Sequence, residues 1–429
     1  MSLKINIVTL GCSKNTVDSE FLAGHLIKKG YNVAFEGSKQ YFDIVIINTC
    51  GFIGDAKEES INYILFQCAL KKTQKVGRVI VCGCLSQRYS EELRKEIPSI
   101  DMIFGVFEYE KILEYLDTKA EGSYYNERTL STPNHYAYLK IAEGCDRSCS
   151  YCAIPLIRGK NISRPIEDLV IEARKLVILG VRELILIAQD TTYYGLDIYK
   201  ERRLGDLLRE LVKIEDLKWI RLQYTYPHQF PMDVIELMQK EEKICNYIDL
   251  PLQHINTSIL SSMKRNINSE ETLNLVKEIR NIVPDIAFRT TFIVGYPGET
   301  DKDFQELKSF VEEMRFERMG CFIYSPEEGT PAFELEDDVP DEVKEARFEE
   351  LLDIQQNISL EINQTKIGDE IEVVIDRKDI DFWVARTQYD SPEVDNEVLI
   401  SDTYKLEVGN FYNIKIIDAV EFDLIGEVL

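Results

Sequence analysis

Three cysteines, Cys145, Cys149 and Cys152, constrain this chain more than any other feature, and we call them the core trio. They lie close together, directly after the strand-like run 138–141. A [4Fe–4S] cluster takes one thiolate for each iron, so three cysteines leave one iron without a protein ligand. A zinc site is the alternative, but zinc needs a fourth ligand. The nearest histidine, His135, lies upstream, and no other CxxC pair completes a structural site. The spacing therefore favours a cluster.

Length and composition indicate a soluble protein of several domains. The chain has 429 residues, of which 45% are hydrophobic and 29% charged, and this length exceeds that of one ordinary domain. No apolar run approaches the ~20 residues that span a bilayer. The N-terminus reads as a strand and lacks the regions of a signal peptide. Ten cysteines without disulfide-like spacing are typical of a reducing compartment, so we expect a cytoplasmic protein.

The net charge of −25 bears on the partners of the protein. The chain has 75 acidic residues against 50 lysines and arginines, whereas binding to a polyphosphate needs basic residues that displace counterions. A basic protein is therefore a better candidate partner than a bare nucleic acid. Composition alone also fits a simpler explanation, in which the charge only keeps the protein soluble.

Residues 1–120 alternate strands and helices in the manner of an open, doubly wound α/β domain. Cys12, Cys50 and Cys84, which we call the N-terminal trio, each fall just past the carboxyl end of a predicted strand and beside a glycine. Open α/β sheets bind ligands at those ends, so these thiols are predicted to converge on a second cluster with one open iron. The alternative is that small thiols are common in buried strands. It fits the remaining cysteines well: Cys68, Cys82, Cys245 and Cys321.

A polar, turn-rich linker at 121–135 precedes a second run of alternating strands and helices at 136–365. Six repeats predict a partial parallel (βα)6 barrel, with its chemistry at the C-terminal ends of the strands. Gln189, Gln253 and Gly295 lie in polar segments at such ends. Each segment alone fits an ordinary turn, but together they suit a ligand with amino-acid, ribose and base portions.

The last segment, 366–429, changes to short alternating runs that predict a small β-barrel. It contains six lysines and arginines against 16 acidic residues, a formal charge of −10. A basic barrel rich in aromatic residues would indicate RNA binding, and this composition indicates the opposite.

Long motifs give the chain a resemblance to the methylthiotransferases over essentially its whole length. The sequences TLGCSKNTVDSE at 9–20, NTCGFI at 48–53 and GCLSQR at 83–88 carry it in the N-terminal domain. In the core, EGCDRSCSYCAIP at 143–155 resembles the cluster loop of radical S-adenosylmethionine (SAM) enzymes. The first motif, together with AQDTT at 188–192 and YSPEEGT at 324–330, is most similar to the branch of the family that modifies a ribosomal protein.

The resemblance implies three domains, namely an N-terminal cluster domain, a radical SAM core and a C-terminal TRAM barrel. It also implies two [4Fe–4S] clusters, one on each trio, with SAM at the open iron of the core cluster. The expected SAM contacts are Tyr151, Gln189, Gln253 and Gly295. No catalytic acid–base residue is assigned, and His254 is no exception, because nothing pairs it with a nucleophile.

The implied reaction adds a methylthio group to the β-carbon of one aspartate in small-subunit ribosomal protein twelve. It needs an electron donor such as a flavodoxin or ferredoxin and a sulfur donor. The tRNA branch of the family is the main alternative, but an acidic barrel would repel a phosphate backbone and attract a basic protein. A non-catalytic iron–sulfur electron carrier is a third reading, which predicts that SAM is never cleaved.

Overall fold

The structure is a computed structural model that describes residues 3–37, 41–118, 125 and 127–429. The expected linker at 121–135 therefore lies partly outside the described residues, which omit 121–124 and 126. The described strands form an open five-stranded sheet, an open six-stranded sheet, a closed five-stranded barrel and one small two-stranded sheet. None of the described helices combines the length and the apolarity that a bilayer span requires.

The N-terminal sheet is parallel and buried on both faces. Its strands are β1 (Lys4–Thr9), β2 (Asn32–Phe35), β3 (Phe42–Thr49), β4 (Val76–Gly83) and β5 (Met102–Ile103), and its helices are α1 (Ser13–Lys28), α2 (Gly54–Lys72), α3 (Cys84–Arg88), α4 (Ser90–Glu96) and α5 (Tyr109–Tyr115). The strand order is β2-β1-β3-β4-β5, with one apolar core on each face. Strands buried on both faces are nearly continuous apolar runs, which is why β1, β3 and β4 are predictable from the sequence.

The central sheet consists of six parallel strands in the order in which the chain makes them. The strands are β6 (Tyr136–Lys140), β9 (Glu183–Ile187), β10 (Trp219–Leu222), β11 (Ile244–Asp249), β12 (Ala287–Val294) and β13 (Arg318–Ile323), and β7 (Ala142–Glu143) pairs with β8 (Ile162–Ser163) beside them. The helices are α6 (Ile154–Arg158), α7 (Ile166–Ile178), α8 (Leu204–Leu211), α9 (Met232–Lys240), α10 (Thr257–Ser262), α11 (Ser269–Ile282), α12 (Asp301–Met314) and α13 (Asp341–Thr365). This arrangement confirms the predicted partial barrel of six repeats.

The C-terminal barrel is small and closed, as predicted. Its strands are β14 (Glu370–Lys378), β15 (Phe382–Thr387), β16 (Glu397–Ser401), β17 (Phe411–Ala419) and β18 (Asp423–Val428), in the order β14-β15-β16-β18-β17. Alternate apolar residues from all five strands fill its interior. Closure leaves no unpaired sheet edge to attract other strands.

Buried ion pairs join the barrel to the central sheet near the amino-terminal ends of the strands. Glu183, the first residue of β9, accepts hydrogen bonds from Arg221 of β10 at 2.7 Å and from Arg386 of β15 at 2.8 Å. All three side chains are buried. Burial raises the pKa of Glu183, but the two guanidinium groups outweigh burial and lower it below its usual range. The carboxylate therefore stays charged and links three strands of two sheets.

The segment 388–396, which connects β15 to β16, extends this contact across the sheet. Asp390 accepts from Arg318 Nε at 2.8 Å, and Asp395 accepts from Arg289 at 2.7 Å. Ser391 accepts from the side chain of Gln223 at 2.6 Å. The barrel is therefore attached near the amino-terminal ends of the strands, and its β15–β16 connection reaches along them as far as Gln223, just past the end of β10.

We expect Glu183→Gln to weaken the attachment of the barrel. The change leaves two buried guanidinium groups without their shared carboxylate, which costs about 3 kcal/mol. Urea unfolding followed by tryptophan fluorescence measures the effect well. One of the two tryptophans, Trp219, packs on Phe411 of the barrel with ring centroids 4.9 Å apart.

The matched control is Glu236→Gln, because that side chain is 59% exposed and its ion pair with Lys240 is loose, at 3.8 Å. Exposed pairs of this kind contribute about 0–1 kcal/mol. Equal urea midpoints for the two variants would show that Glu183 does not hold the barrel.

Candidate active site

The core trio lies on the loop between β7 and α6, just past the carboxyl end of β6. Gly144 begins the loop with φ +77°, and a Cβ there would lie 2.1 Å from the carbonyl oxygen of Lys160, so only glycine fits. The Cys145 N–H donates to the carbonyl of Gly159 at 3.0 Å and closes the loop at its base. The loop that carries the core trio is therefore held in place at the C-terminal edge of the central sheet.

The N-terminal trio comes from three separate connections. Cys12 directly precedes α1, Cys50 directly follows β3, and Cys84 begins α3 at the end of β4. Because β1, β3 and β4 are neighbours in the sheet, their carboxyl ends lie side by side. The connections after β1 and β3 approach each other closely, since a Cβ on Gly11 would lie 2.7 Å from the Cβ of Cys50. The fold thus brings together three thiols that are far apart in sequence.

Both trios line one cavity of about 330 Å³, which lies between the N-terminal domain and the central sheet. Tyr151, Gln189 and Gln253 line the same cavity. Gly295 lies elsewhere, in the turn after β12, where a Cβ would meet the Lys344 side chain at 2.2 Å. Two larger clefts, of about 930 and 510 Å³, lie beside the barrel, and the described residues that line them include no cysteine.

The two glutamines are held in defined positions at the cavity wall. Gln189 donates to Glu143 Oε1 at 2.7 Å, while its own Oε1 is buried without a partner among the described residues. Gln253 has φ +74°, and its backbone joins the main chains of Thr291 and Ile293 through two 2.8 Å hydrogen bonds. A left-handed φ is strained for a residue other than glycine and persists where the surrounding structure holds it, as these two hydrogen bonds do. Gln253 is thus held in place by its backbone, and Gln189 offers its unpartnered Oε1 to a ligand as an acceptor.

Two arginines that the sequence analysis did not identify stand next to the core trio. Arg147 Nε donates to Asp190 at 2.7 Å, and its guanidinium lies 4.0 Å from the ring centroid of Tyr226. Arg265 packs on the same ring at 4.1 Å and places Nη1 3.5 Å from Cys149 Sγ. Arg147 lies inside the cysteine motif and was detectable there. Arg265 has no local motif, and only the fold places it at the site.

Burial raises the pKa of four of the cavity thiols. It raises the pKa of Cys50, Cys145 and Cys152 to about 12, and it raises the pKa of Cys84 as well, with Arg158 acting in the opposite direction. Such thiols keep their protons at neutral pH until a metal displaces them. Positive arginines beside them would then balance the charge of bound thiolates.

The donor set fits iron–sulfur clusters better than zinc. The described residues that line the cavity supply six thiols and no histidine. In the described part of the chain, no three His, Cys, Asp or Glu side chains are placed to surround a single metal ion. A cluster takes one thiolate per iron, so it needs sulfurs that are spaced further apart than the ligands of one ion.

A buried ion network, made of Asp18, Lys140, Glu143 and Arg158, lies between the two trios. Lys140 pairs with Asp18 and, at 2.7 Å, with Glu143. Arg158 Nη1 lies 2.8 Å from both carboxylate oxygens of Glu143. Burial raises the pKa of Glu143, but Lys140 and Arg158 outweigh it and hold that pKa well below its usual range. Asp18 belongs to α1, so the network connects the N-terminal domain to the core.

Each of the three parts of the fold matches a known protein family. The radical SAM superfamily model matches residues 139–311, the uncharacterized protein family UPF0004 matches 4–105, and the TRAM domain matches 367–429. The structure is similar to that of the radical SAM methyltransferase TsrM from Kitasatospora setae. The TM-score is 0.55 at 14% identity, over 86% of this chain and 79% of that one. At this identity the likeness shows the fold alone.

The six-stranded parallel sheet with a cysteine trio after its first strand, together with the superfamily match, defines a radical SAM enzyme. Two relatives are ribosomal protein uS12 methylthiotransferases RimO. The one from Flavobacterium psychrophilum is 57% identical over 99% of this chain and 98% of its own length, and the one from Christiangramia forsetii is 56% identical over 99% and 94%. The chain belongs to the RimO family of ribosomal protein uS12 methylthiotransferases.

We expect Asp18→Asn to loosen the contact between α1 and the core. The change removes a buried charge that faces Lys140 and Arg158, which costs about 3 kcal/mol and corresponds to roughly a hundredfold loss of protection from hydrogen exchange. Hydrogen–deuterium exchange of the α1 peptides, measured anaerobically, tests this expectation. Asp55→Asn, on the exposed first turn of α2, is the control. Unchanged exchange in α1 would contradict a structural role for the network.

Proposed function

We propose that this protein adds a methylthio group to the β-carbon of an aspartate in ribosomal protein uS12. The observation that carries the proposal is that two cysteine trios, from two domains, line one cavity. A sulfur-inserting reaction needs one centre that activates a C–H bond and a second that supplies sulfur, both within reach of the same carbon. The identity of the relatives over nearly the full chain supports the choice of substrate.

We assign one [4Fe–4S] cluster to each trio and SAM to the space beside the core trio. When bound, the clusters and SAM supply the electron, the hydrogen abstraction and the methylthio group, which is chemistry that side chains cannot perform. Tyr151, Gln189 and Gln253 would hold SAM, with the free Oε1 of Gln189 as an acceptor. Gly295 stays a predicted SAM contact, although it does not line this cavity.

The chain's own residues position and neutralise these groups. Arg265, which already lies 3.5 Å from Cys149 Sγ, would donate to the bound thiolate and offset its charge. Arg147 is fixed between Asp190 and the ring of Tyr226, so its position does not depend on the ligand. Preorganised cations of this kind cost no reorganisation during the reaction.

The acidic C-terminal barrel suits a basic ribosomal protein through charge complementarity. Three of its carboxylates, on Asp376, Asp390 and Asp395, are already paired, the first with His135 of the linker and the others with Arg318 and Arg289 of the core. Other acids remain exposed, among them Asp379, Asp381 and Asp402, and these would face a partner. We further propose that the enzyme works in the cytoplasm, with a flavodoxin or ferredoxin as electron donor and a separate sulfur donor.

Cysteine substitutions test the division of labour between the two trios. Anaerobically reconstituted wild type should bind about eight irons, and each triple alanine variant about four. The core-trio variant should lose SAM cleavage. The N-terminal-trio variant should still form 5′-deoxyadenosine but no methylthio product. Iron analysis and chromatography of the SAM products measure these outcomes.

The matched control replaces Cys68, Cys245 and Cys321 by alanine, because these thiols are buried and lie away from the cavity. It should keep about eight irons and both activities. If the core-trio variant still yields 5′-deoxyadenosine, the assignment of the two roles is wrong.

Mass spectrometry of candidate substrates tests the choice of partner. Purified uS12 and total tRNA are each incubated with enzyme, SAM, reductant and sulfide. We expect uS12 to gain one methylthio group on an aspartate and tRNA to remain unmodified. A mass gain on tRNA alone would replace the proposal by the tRNA branch. SAM cleavage without modification of either substrate would contradict both branches.

A further inference from the structure

Lys14 is a buried cation that faces the cavity. It lies in the first turn of α1, two residues after Cys12, and its side chain lines the cavity although the residue is only 6% exposed. Its ammonium stands 2.8 Å from the ring centroid of Tyr224. Within the described residues it makes no hydrogen bond and no ion pair. The stem is covered while the ammonium itself is open to the cavity, so an anionic group that enters there can pair with it and offset its charge.

The other cations of the cavity already have partners. Arg147 is paired with Asp190, and Arg158 with Glu143. Arg265 donates to the carbonyl of Pro251 and lies against the thiol of Cys149. Arg147 Nη2 and Arg265 Nε each keep a donor without a partner among the described residues, but both arginines stand beside the core trio. Lys14 is the cavity cation on the side of the N-terminal trio that has neither an ion pair nor a hydrogen bond in the described part of the chain.

Tyr224 is held in an unusual conformation beneath this ammonium. Its φ of +58° lies in the left-handed region, which is strained for a tyrosine. The Tyr224 N–H donates to Asp249 at 2.8 Å, and its carbonyl accepts from the backbone of Thr191 at 2.9 Å. The ring contacts one side of the ammonium by a cation–π interaction, which leaves the N–H donors on the other sides available. Lys14 acts on the buried carboxyl of Asp249 through its charge alone.

The Lys14–Tyr224 pair stands between the two trios. Lys14 shares its turn with Cys12, and Tyr226, two residues after Tyr224, places its hydroxyl 3.9 Å from Cys149 Sγ. The reacting carbon of a substrate must lie in this same region if both centres are to reach it. In an aspartate, the β-carbon is bonded directly to the side-chain carboxylate.

We propose that Lys14 binds the side-chain carboxylate of the substrate aspartate and thereby fixes the β-carbon between the two trios. This inference rests on the proposed function. Because the β-carbon is bonded to the carboxylate, fixing the carboxylate leaves the β-carbon few possible positions. Positioning of this kind accelerates the reaction of a bound substrate. It also gives specificity, because an asparagine in the same place would leave the ammonium without its anion.

A binding experiment with two forms of uS12 tests the proposal on the reconstituted full-length enzyme with SAM and without reductant. One form has the natural aspartate at the modified position, and the other has asparagine there. Wild-type enzyme should bind the asparagine form about tenfold more weakly, since a charge-assisted hydrogen bond is lost. Lys14→Gln should bind the two forms within about twofold of each other. Fluorescence anisotropy of labelled uS12 measures both constants.

Lys72→Gln is the control, because Lys72 is an exposed lysine of the same domain on α2 and its removal should leave the tenfold preference intact. Iron content and circular dichroism check that each variant is folded and loaded. If Lys14→Gln fails this check, Lys14→Met, which keeps the apolar stem, takes its place in the same comparison.

A retained tenfold preference in the Lys14 variant would overturn the proposal. It would also be overturned if the variant bound SAM more weakly in equilibrium dialysis while it still preferred aspartate, because Lys14 would then hold SAM. The proposed function fails in a different way: wild type itself would show no methylthio product on uS12 and no preference between the two forms, and the inference would fall with it.

Discussion

The structure depends on a buried set of charges between its two cysteine trios. Asp18 comes from the N-terminal domain, whereas Lys140, Glu143 and Arg158 come from the core, and all four are buried or nearly so. Such a network is not a strong source of stability, because desolvation offsets most of the attraction. It does fix the position of the N-terminal domain relative to the core, since any shift of one against the other leaves a buried charge unpaired. An active site built from two domains needs a fixed position of one domain relative to the other.

Buried ion pairs also attach the C-terminal barrel to the central sheet. Glu183, with Arg221 and Arg386, forms the centre of that contact. This finding changes the interpretation of the barrel's acidic composition. Several acids, Asp390 and Asp395 among them, pair with arginines of the core, so the formal charge of −10 overstates what the barrel presents to a partner.

The sequence predicted the architecture well and the site unevenly, for physical reasons. Buried parallel strands contain continuous apolar runs, such as 44–47 in β3, so their carboxyl ends, and hence the place of Cys50, are visible in the sequence. The edge strand β2 is only half-buried and has no such pattern, and it was not predicted. Arg265 could not be foreseen, because its closeness to Cys149 depends on how two distant strand ends approach each other.

Lys14 and Tyr224 contact each other at the boundary between the N-terminal domain and the core. The ammonium comes from the domain that carries the N-terminal trio, and the ring below it comes from the core sheet. A carboxylate that binds there would add an attraction across the domain boundary, next to the Asp18 network. Binding energy from the substrate would then tighten the contact that aligns the two trios, and an empty cavity would lack that contribution. On the proposal for Lys14, the substrate would therefore be recognised at the boundary between the two domains that carry the trios.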